Sequence, residues 1–184
     1  MIRLLGIDAS TTNSGIAVLE YNKKPWILGA NLEDAKLVYT TNIITKDKEV
    51  EDRIKLQVDS ILKVIKQYKP TEIAIEDVYL NKLTAMRALL MLRGALVYAI
   101  KVPVFFYQAL TVRKSLVGRG NCGKGALNQF VIDLFRFSFS DDFQYIDDNL
   151  TDAIGVALTR IVNPQGYTRS VPSEIKKQKG GSTR

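Results

Sequence analysis

Two short apolar segments that each end in a carboxylate constrain the fold of this chain more than any other feature. The first runs from Ile2 to Asp8, and the second runs from Glu72 to Ile75 and ends at Glu76. Both have the length and apolar content of buried β-strands. Ligands of open α/β sheets bind outside the carboxyl ends of the strands. The two acids therefore mark a candidate site, provided that the two strands are neighbours in the sheet.

The rest of the chain alternates between strand and helix patterns. Alternating and β-branched residues predict further strands at 16–20, 36–44 and 104–106. A turn at 9–15 joins the first strand to the second as a hairpin. Apolar spacing and helix-breaking residues predict helices at 47–68, 82–100, 108–116, 124–135 and 148–162. This order predicts an α/β fold in which a mixed five-stranded sheet carries helices on both faces.

Length and composition indicate a single globular domain followed by a basic tail. The chain has 184 residues, of which 46% are hydrophobic and 24% are charged. We place the domain at residues 1–163 and the tail at 164–184. The tail has five basic residues and one acid, so it carries +4 of the formal net charge of +7. Its content of Gly, Pro, Ser and Lys predicts a flexible segment.

The residue types that are scarce exclude several classes of protein. The chain has no histidine, which excludes histidine-based zinc sites and Ser-His-Asp triads. Its single cysteine, Cys122, cannot form an internal disulfide and fits a reducing compartment. No apolar run has the length of a membrane span. We therefore expect a cytoplasmic protein without membrane contact.

The last predicted helix supplies further carboxylates. Asp148 and Asp152 are four positions apart and share one helical face, and the small apolar residues after Asp152 allow close packing on the sheet. Acids held close together repel each other unless a cation lies between them, and Mg²⁺ prefers carboxylate oxygens. Two such ions, about 3.5–4 Å apart, stabilise both the attacking and the leaving oxygen of a phosphodiester. The sequence thus predicts a site for two Mg²⁺ ions, with Mn²⁺ able to substitute.

Each of these acids also has a purely structural explanation. Asp8 suits an Asx-turn, Glu76 suits a solvated strand end, and Asp148 suits a helix N-cap. Taken singly, each structural role is at least as good an explanation as catalysis. Three acids at three ends of elements near the sheet favour the metal site.

A basic segment lies between the predicted site elements. It contains four basic residues and no acid: Arg113, Lys114, Arg119 and Lys124. Such a segment favours a polyanion, because neutralised phosphates release counterions. Lys124 follows Gly123 and opens a predicted helix, where backbone N–H groups also favour phosphate. The structural alternative for Lys124 is a solvated lysine.

The motifs together resemble those of the RuvC-type Holliday junction resolvases, over about residues 4–159. The matching residues are Gly6-Ile7-Asp8 with Gly15, the segment from Ala74 to Tyr79, Arg93-Gly94, the basic segment 112–120 with Lys124, and the helix from Asp152 to Thr159. This resemblance implies an RNase H-like fold, a homodimer, Mg²⁺, and structure-selective cleavage of four-way DNA junctions. A phage or other viral member of the family is compatible with the pattern.

Residue roles follow from the same resemblance. It implies that Arg113 and Lys124 lie near the active site and that Tyr79 stacks on an unpaired base, although a packing role for Tyr79 is equally compatible. The family has a second ligand in its last motif, three positions before the final aspartate, where this chain has Asn149. Asp148 lies one position earlier. We expect Asp148 to be the fourth ligand, because a carboxylate binds Mg²⁺ through charge whereas an amide offers only a dipole.

Two further points remain open in the sequence. The apolar helix around residues 86–92 is a candidate dimer interface, and an ordinary core role fits it equally. The alternatives to a junction resolvase are another RNase H-like nuclease, acting on flaps or other branched DNA, and a catalytically silent protein that binds junctions.

Overall fold

The strands and helices follow one another along the chain in the predicted order, and one short strand, at residues 167–168, follows the last helix. The computed structural model describes residues 1–22, 31–46, 49–77, 83–135, 147–165 and 167–168. The strands are β1 (Ile2–Asp8), β2 (Asn13–Tyr21), β3 (Ala35–Ile44), β4 (Glu72–Asp77), β5 (Val104–Gln108) and β6 (Tyr167–Thr168). The helices are α1 (Val50–Tyr68), α2 (Leu83–Ala99), α3 (Ala109–Val117), α4 (Lys124–Leu134) and α5 (Asp148–Val162), and a short 3-10 helix spans Leu32–Asp34. Within these described segments, no helix combines the length and apolar character needed to cross a membrane.

All six strands form one mixed sheet in the order β3-β2-β1-β4-β5-β6. The strands β1, β2 and β3 form an antiparallel meander, β4 and β5 run parallel to β1, and β6 is antiparallel to β5. The predicted mixed sheet with helices on both faces is confirmed, and β1 and β4 are indeed neighbours. The two-residue β6 extends the sheet within the segment predicted to be a tail. The prediction of flexibility from residue 169 onward falls outside the described residues.

The starts of two elements differ from the sequence prediction by three residues each. β2 begins at Asn13 instead of Ile16, because Asn13 already pairs with Ile44 of β3 through the backbone. Backbone pairing does not require apolar side chains, so the polar start of this strand reads as a turn in the sequence. α1 begins at Val50, since Glu49 has the extended backbone of an N-cap residue.

The sheet separates two apolar cores. Leu4 of β1 belongs to the core beneath α3, α4 and α5, whereas Leu5 and Ile7 belong to the core beneath α1 and α2. Side chains alternate between the two faces of a strand, so Leu4, Gly6 and Asp8 share one face. We call this the α5 face of the sheet, and we call the opposite one the α2 face.

Candidate active site

The ends of β1 and β4 place two carboxylates on the α5 face. These strands pair in parallel with Ile7 opposite Ile75, the residues directly before Asp8 and Glu76. In β4, Ala74 belongs to the core beneath α5, and alternation puts Glu76 on the same face. The structure therefore brings together the first two acids that the sequence predicts.

The acid next to Glu76 faces the other way. Asp77 lies on the α2 face, where it forms an ion pair and a hydrogen bond with Arg93 of α2. The Arg93 guanidinium also lies over the ring of Phe106, 3.9 Å from its centroid. Asp77 thus belongs to the packing of α2 and not to the cluster around Asp8 and Glu76.

Two glycines allow α5 to lie directly on the sheet. A Cβ atom added at Gly6 would stand 2.0 Å from the backbone oxygen of Ala153, and one at Gly15 would stand 1.9 Å from that of Asn149. Both distances are far inside van der Waals contact, so a side chain at either position would push the helix away. The glycines let α5 approach the strands closely enough for Asp152 to face Asp8 and Glu76.

Burial and mutual repulsion change the acidity of the strand-end carboxyls. Burial, followed by the charge of Asp152, raises the pKa of Asp8 to about 7. Burial, followed by the charges of Asp8 and Asp152, raises the pKa of Glu76 to about 8. Such carboxyls bind a cation or a proton more favourably than isolated ones do.

Asp152 and Lys124 form the centre of the site. The Asp152 side chain is only 12% exposed, and its Oδ2 accepts a hydrogen bond from Lys124 Nζ at 3.4 Å. Burial raises the pKa of Asp152 although Lys124 opposes this. Partial burial would lower the pKa of Lys124, but the neighbouring carboxylates, Asp152 foremost, raise it instead. Lys124 thus supplies one positive charge to the acid cluster.

Asp148 occupies the outer edge of the same cluster. Its side chain is 46% exposed, and its Oδ2 lies 3.9 Å from Lys124 Nζ. Its Oδ1 accepts a hydrogen bond from Asn128 Nδ2 of α4 at 2.8 Å. Asp148 raises the pKa of Asp152. Asp148 therefore lies beside the acid cluster, where α4 holds it in the described arrangement.

The residues predicted to contact DNA lie at different distances from Asp152 and Lys124. Arg113 on α3 is partly buried, and its charge lowers the pKa of Glu76 and of Asp152. Lys114 is exposed and lines an open groove of about 660 Å³ beside α3. Arg119 is exposed in the loop between α3 and α4. Tyr79 lies outside the described residues.

The donor set fits a hard divalent cation. Its acids come from β1, β4 and α5, they outnumber the nearby positive charges of Lys124 and Arg113, and all of the donors are oxygens. Among the described residues, no three of the His, Cys, Asp and Glu side chains already form a metal-binding group. Mg²⁺ is commonly held by one or two carboxylates together with substrate phosphates and water, so a complete protein shell is not required.

Comparison with known proteins assigns the chain to a family. The model of the family "Crossover junction endodeoxyribonuclease RuvC" matches residues 4–160. The chain belongs to the RuvC family. A RuvC relative from Chromobacterium violaceum is 30% identical over 184 residues, covering 97% of each chain. Another from Trichlorobacter lovleyi is 28% identical over 192 residues, covering 100% of this chain and 98% of the relative.

Solved RuvC structures share this fold. The structure of Thermus thermophilus RuvC matches with a TM-score of 0.70 at 21% identity, covering 86% of this chain and 93% of that one. The same enzyme in complex with a Holliday junction substrate matches with a TM-score of 0.70 at 19% identity, covering 88% and 94%. The resemblance to the RuvC family that the motifs indicated is confirmed, and with it the RNase H-like fold.

Sequence reasoning missed several polar residues around the RuvC-type centre. Asn128 follows Lys124 by four positions on α4, and this spacing places both on the face towards α5. That signal was available in the sequence. Asp147 and Asn42 are hydrogen-bonded at 2.8 Å although 105 residues separate them. No local pattern predicts such a pair.

Proposed function

We propose that this chain is a Holliday junction resolvase, an Mg²⁺-dependent endonuclease that hydrolyses phosphodiesters of four-way DNA junctions. The observation that carries the proposal is the convergence of Asp8, Glu76 and Asp152 from three elements into one partly buried cluster. That cluster lies in a chain of the crossover junction endodeoxyribonuclease family. A silent junction-binding protein has no need of buried acids that repel one another.

The cluster assigns roles to individual residues. Asp8, Glu76 and Asp152, with Asp148 as the fourth ligand, would hold two ions. When bound, these ions stabilise the negative charge on the attacking and leaving oxygens of the phosphodiester. Lys124, which already pairs with Asp152, holds a phosphate oxygen next to the acids.

Basic residues around the cluster would orient the DNA. Arg113 adds positive charge close to Glu76 and Asp152, and Lys114 and Arg119 contact more distant phosphates. The basic tail after residue 163 adds affinity through counterion release. Tyr79 stacks on an unpaired base at the crossover. We also propose that the domain at 1–163 acts in the cytoplasm.

The choice between Asp148 and Asn149 for the fourth ligand has a direct test. We expect Asp148→Ala to lose far more activity than Asn149→Ala over a Mg²⁺ titration, because only the carboxylate contributes charge. An Asn128→Ala variant is the control, since it frees Asp148 from α4 without removing the carboxylate. Normal cutting by Asp148→Ala together with an inactive Asn149→Ala would reverse the assignment.

A homodimer would match the two-fold symmetry of a four-way junction. The helix α2 supports this proposal, because it exposes several large apolar side chains towards solvent. These are Leu90, Met91, Val97 and Tyr98, of which Tyr98 is 83% exposed. The exposed surface continues the region around residues 86–92 that the sequence predicts. We call these four side chains the α2 patch.

The decisive experiment is a cleavage assay on matched synthetic substrates. Purified protein is incubated with a four-way junction, a flap and a linear duplex that share one labelled strand, in Mg²⁺, in Ca²⁺ and in EDTA. We expect paired symmetric incisions in the junction with Mg²⁺ alone. Asp8→Asn serves as the control for contaminating nucleases and should bind the junction without cutting it. Preferential cutting of the flap, or binding without cutting, would replace the proposal by one of its alternatives.

A further inference from the structure

A small polar network ties the start of α5 to the β2–β3 hairpin. Asp147, the residue before α5, accepts a hydrogen bond at Oδ2 from Asn42 Nδ2 of β3 at 2.8 Å. The same oxygen lies 3.5 Å from Asn13 Nδ2 at the start of β2. Because Asn42 lies opposite Gly15, the network is next to the point where α5 rests on bare backbone.

The two carboxylate oxygens of Asp147 have separate tasks. Oδ1 accepts a hydrogen bond from the backbone N–H of Asn149 at 3.1 Å, which caps the helix. Oδ2 is left for the two asparagines of the sheet. A serine at this position would keep the cap but is too short to bridge to Asn42. The capping and bridging tasks can therefore be separated by mutation.

Helix stability alone does not account for this network. The Oδ1 atoms of Asn13 and Asn42 are both buried and accept no hydrogen bond within the described part of the chain. Burying amide groups costs free energy that apolar side chains in the same space would not. Polar groups of this kind are typically retained where function requires a fixed position.

The first turn of α5 is where position matters most for the proposed chemistry. Asp148 directly follows Asp147, and Asp152 lies one turn further along the same helix. Close packing on Gly6 and Gly15 fixes the height of α5 above the sheet. The ion pair between Arg160 and Glu72 anchors the other end of α5. A bridge from the helix start to β3 fixes the first turn, next to Asp148 and Asp152.

We propose that Asp147 and Asn42 form a positioning clamp that holds α5 in the register at which Asp148 and Asp152 meet the acids of β1 and β4. The proposal rests on the metal-dependent function above, since it assigns the clamp to the geometry of that site. Asp147 and Asn42 act through α5 and not by contact with DNA or metal. Loss of the clamp should therefore weaken metal binding before it affects junction binding.

The test measures metal binding directly, with Mn²⁺ alone as the probe and no DNA present. Free Mn²⁺ is followed by electron paramagnetic resonance in titrations of the full chain. The variants are Asn42→Ala, which removes the shorter of the two hydrogen bonds from the sheet, Asp147→Ser, which keeps the cap, and the double variant. Asn31→Ala is the control, because it removes a comparable asparagine hydrogen bond, to Glu33 N–H at 3.1 Å, far from the cluster.

We expect the Mn²⁺ dissociation constant to rise about tenfold in each single variant, the lower end of the range for groups that support metal ligands. The double variant should be no worse than the single ones, and Asn31→Ala should bind like wild type. In cleavage assays, kcat at limiting Mg²⁺ should fall and recover at high Mg²⁺, with KM for the junction unchanged. A merely structural role would lower the melting temperature without changing the affinity for Mn²⁺.

An unchanged Mn²⁺ affinity in folded Asn42→Ala would overturn the clamp, and this variant alone decides if Asp147→Ser does not fold. If the wild-type protein binds Mn²⁺ and cuts junctions while the variants keep the same affinity for Mn²⁺, the clamp is rejected and the proposed function stays intact. Wild-type protein that binds no Mn²⁺ in the absence of DNA would reject the clamp, and junction cutting by that protein in Mg²⁺ would leave the proposed function intact. If the wild-type protein binds Mn²⁺ but does not cut junctions, and the variants bind Mn²⁺ more weakly, the clamp is supported and the resolvase activity is rejected.

Discussion

The two faces of the central sheet use the neighbouring acids at the end of β4 in opposite ways. On the α5 face, Glu76 lies among other acids and its pKa is raised to about 8 by burial and their charges. On the α2 face, the next residue, Asp77, is paired with Arg93. Neighbours in the chain thus serve different purposes because a strand alternates its side chains. Around Glu76 the acids outnumber the nearby positive charges and favour an added cation or proton, whereas Asp77 is neutralised by its own partner.

The helices differ in the same way. α5 lies on glycine backbone and is buried along almost its whole length. α2 covers its face of the sheet with Leu92 and Leu96 and leaves the α2 patch exposed. The α5 face is therefore suited to chemistry at a fixed geometry, while the α2 face retains apolar surface for another protein chain.

Neutralising an acid on the α5 face should lower the cleavage rate far more than neutralising one on the α2 face, and this is the largest difference that we predict. We expect Asp8→Asn, Glu76→Gln and Asp152→Asn each to lower the cleavage rate by more than about 100-fold, because loss of a ligand should exceed the effect of losing its support. Junction binding should survive, since the basic surface is intact. Asp77→Asn, next to Glu76 but on the α2 face, is the matched control and should keep most of the activity. Rates come from single-turnover cleavage and affinities from gel shifts in Ca²⁺.

Equal losses in Glu76→Gln and Asp77→Asn would mean that the two faces do not divide their tasks as described. Wild-type turnover by Asp8→Asn would remove the proposed metal site altogether.

A charge placed on the α2 patch should act on assembly and not on the acid cluster. Tyr98→Asp should weaken the homodimer by about 30-fold, the effect of losing a hot spot of about 2 kcal/mol. Because Tyr98 is exposed, the fold of the single chain should be unaffected. Sedimentation velocity at micromolar concentration, with and without junction DNA, measures the change. Leu56→Asp, an exposed apolar position on α1, is the control, and identical dimerisation by Tyr98→Asp and wild type would exclude the α2 patch as the interface.

Replacing one glycine on each side of the sheet by alanine compares how tightly the two sides are packed. Gly15→Ala should destabilise the chain by about 1–3 kcal/mol, the usual cost of overpacking, because the new Cβ meets the backbone of α5. Gly94→Ala on α2 should instead stabilise it by about 0.8–1.0 kcal/mol, since nothing lies within 4 Å of its Cβ and alanine favours helix. Urea unfolding of both variants measures the two effects. Destabilisation by both variants would show that the open surface of α2 is packed in solution.

Another effect that we predict is a pH dependence that arises on the α5 face. Folding raises the pKa of Asp8 from 3.8 to about 7 and that of Glu76 from 4.5 to about 8, so the folded state binds more protons than the unfolded state between these values. The stability of the metal-free protein should therefore fall as the pH rises from about 4 to 8. Melting temperatures in EDTA at pH 5.5 and 8.0 measure this fall, and Asp8→Asn should reduce it. The same fall in Asp8→Asn as in wild type would assign the pH dependence to other groups.

The sequence predicted the parts of the site that lie on regular elements. Asp8 and Glu76 end apolar strands, and Asp152 shares a helical face with Asp148, so strand and helix periodicity sufficed to group them. The alternation of side chains along a strand also predicts that Glu76 and Asp77 lie on opposite faces of the sheet. The start of β2 at Asn13 was not predicted, because it depends on pairing with β3 and not on apolar residues.

Contacts between distant parts of the chain were beyond sequence reasoning. Asp147 in the acidic stretch before α5 has the pattern of an ordinary cap, and nothing near Asn42 in the sequence indicates its partner. The close approach of α5 over Gly15 likewise depends on how two elements meet. Such contacts are set by the tertiary arrangement, which no periodicity in a single sequence encodes.

The glycine contacts beneath α5 have a consequence for how this protein tolerates change. The spacing between the helix and the strands is defined by main-chain atoms, whose size is the same whatever residues occupy the surrounding core. Substitutions among the aliphatic side chains nearby can alter packing without altering that spacing. The distance between the acids of the sheet and those of the helix is therefore largely independent of the size of the surrounding core side chains.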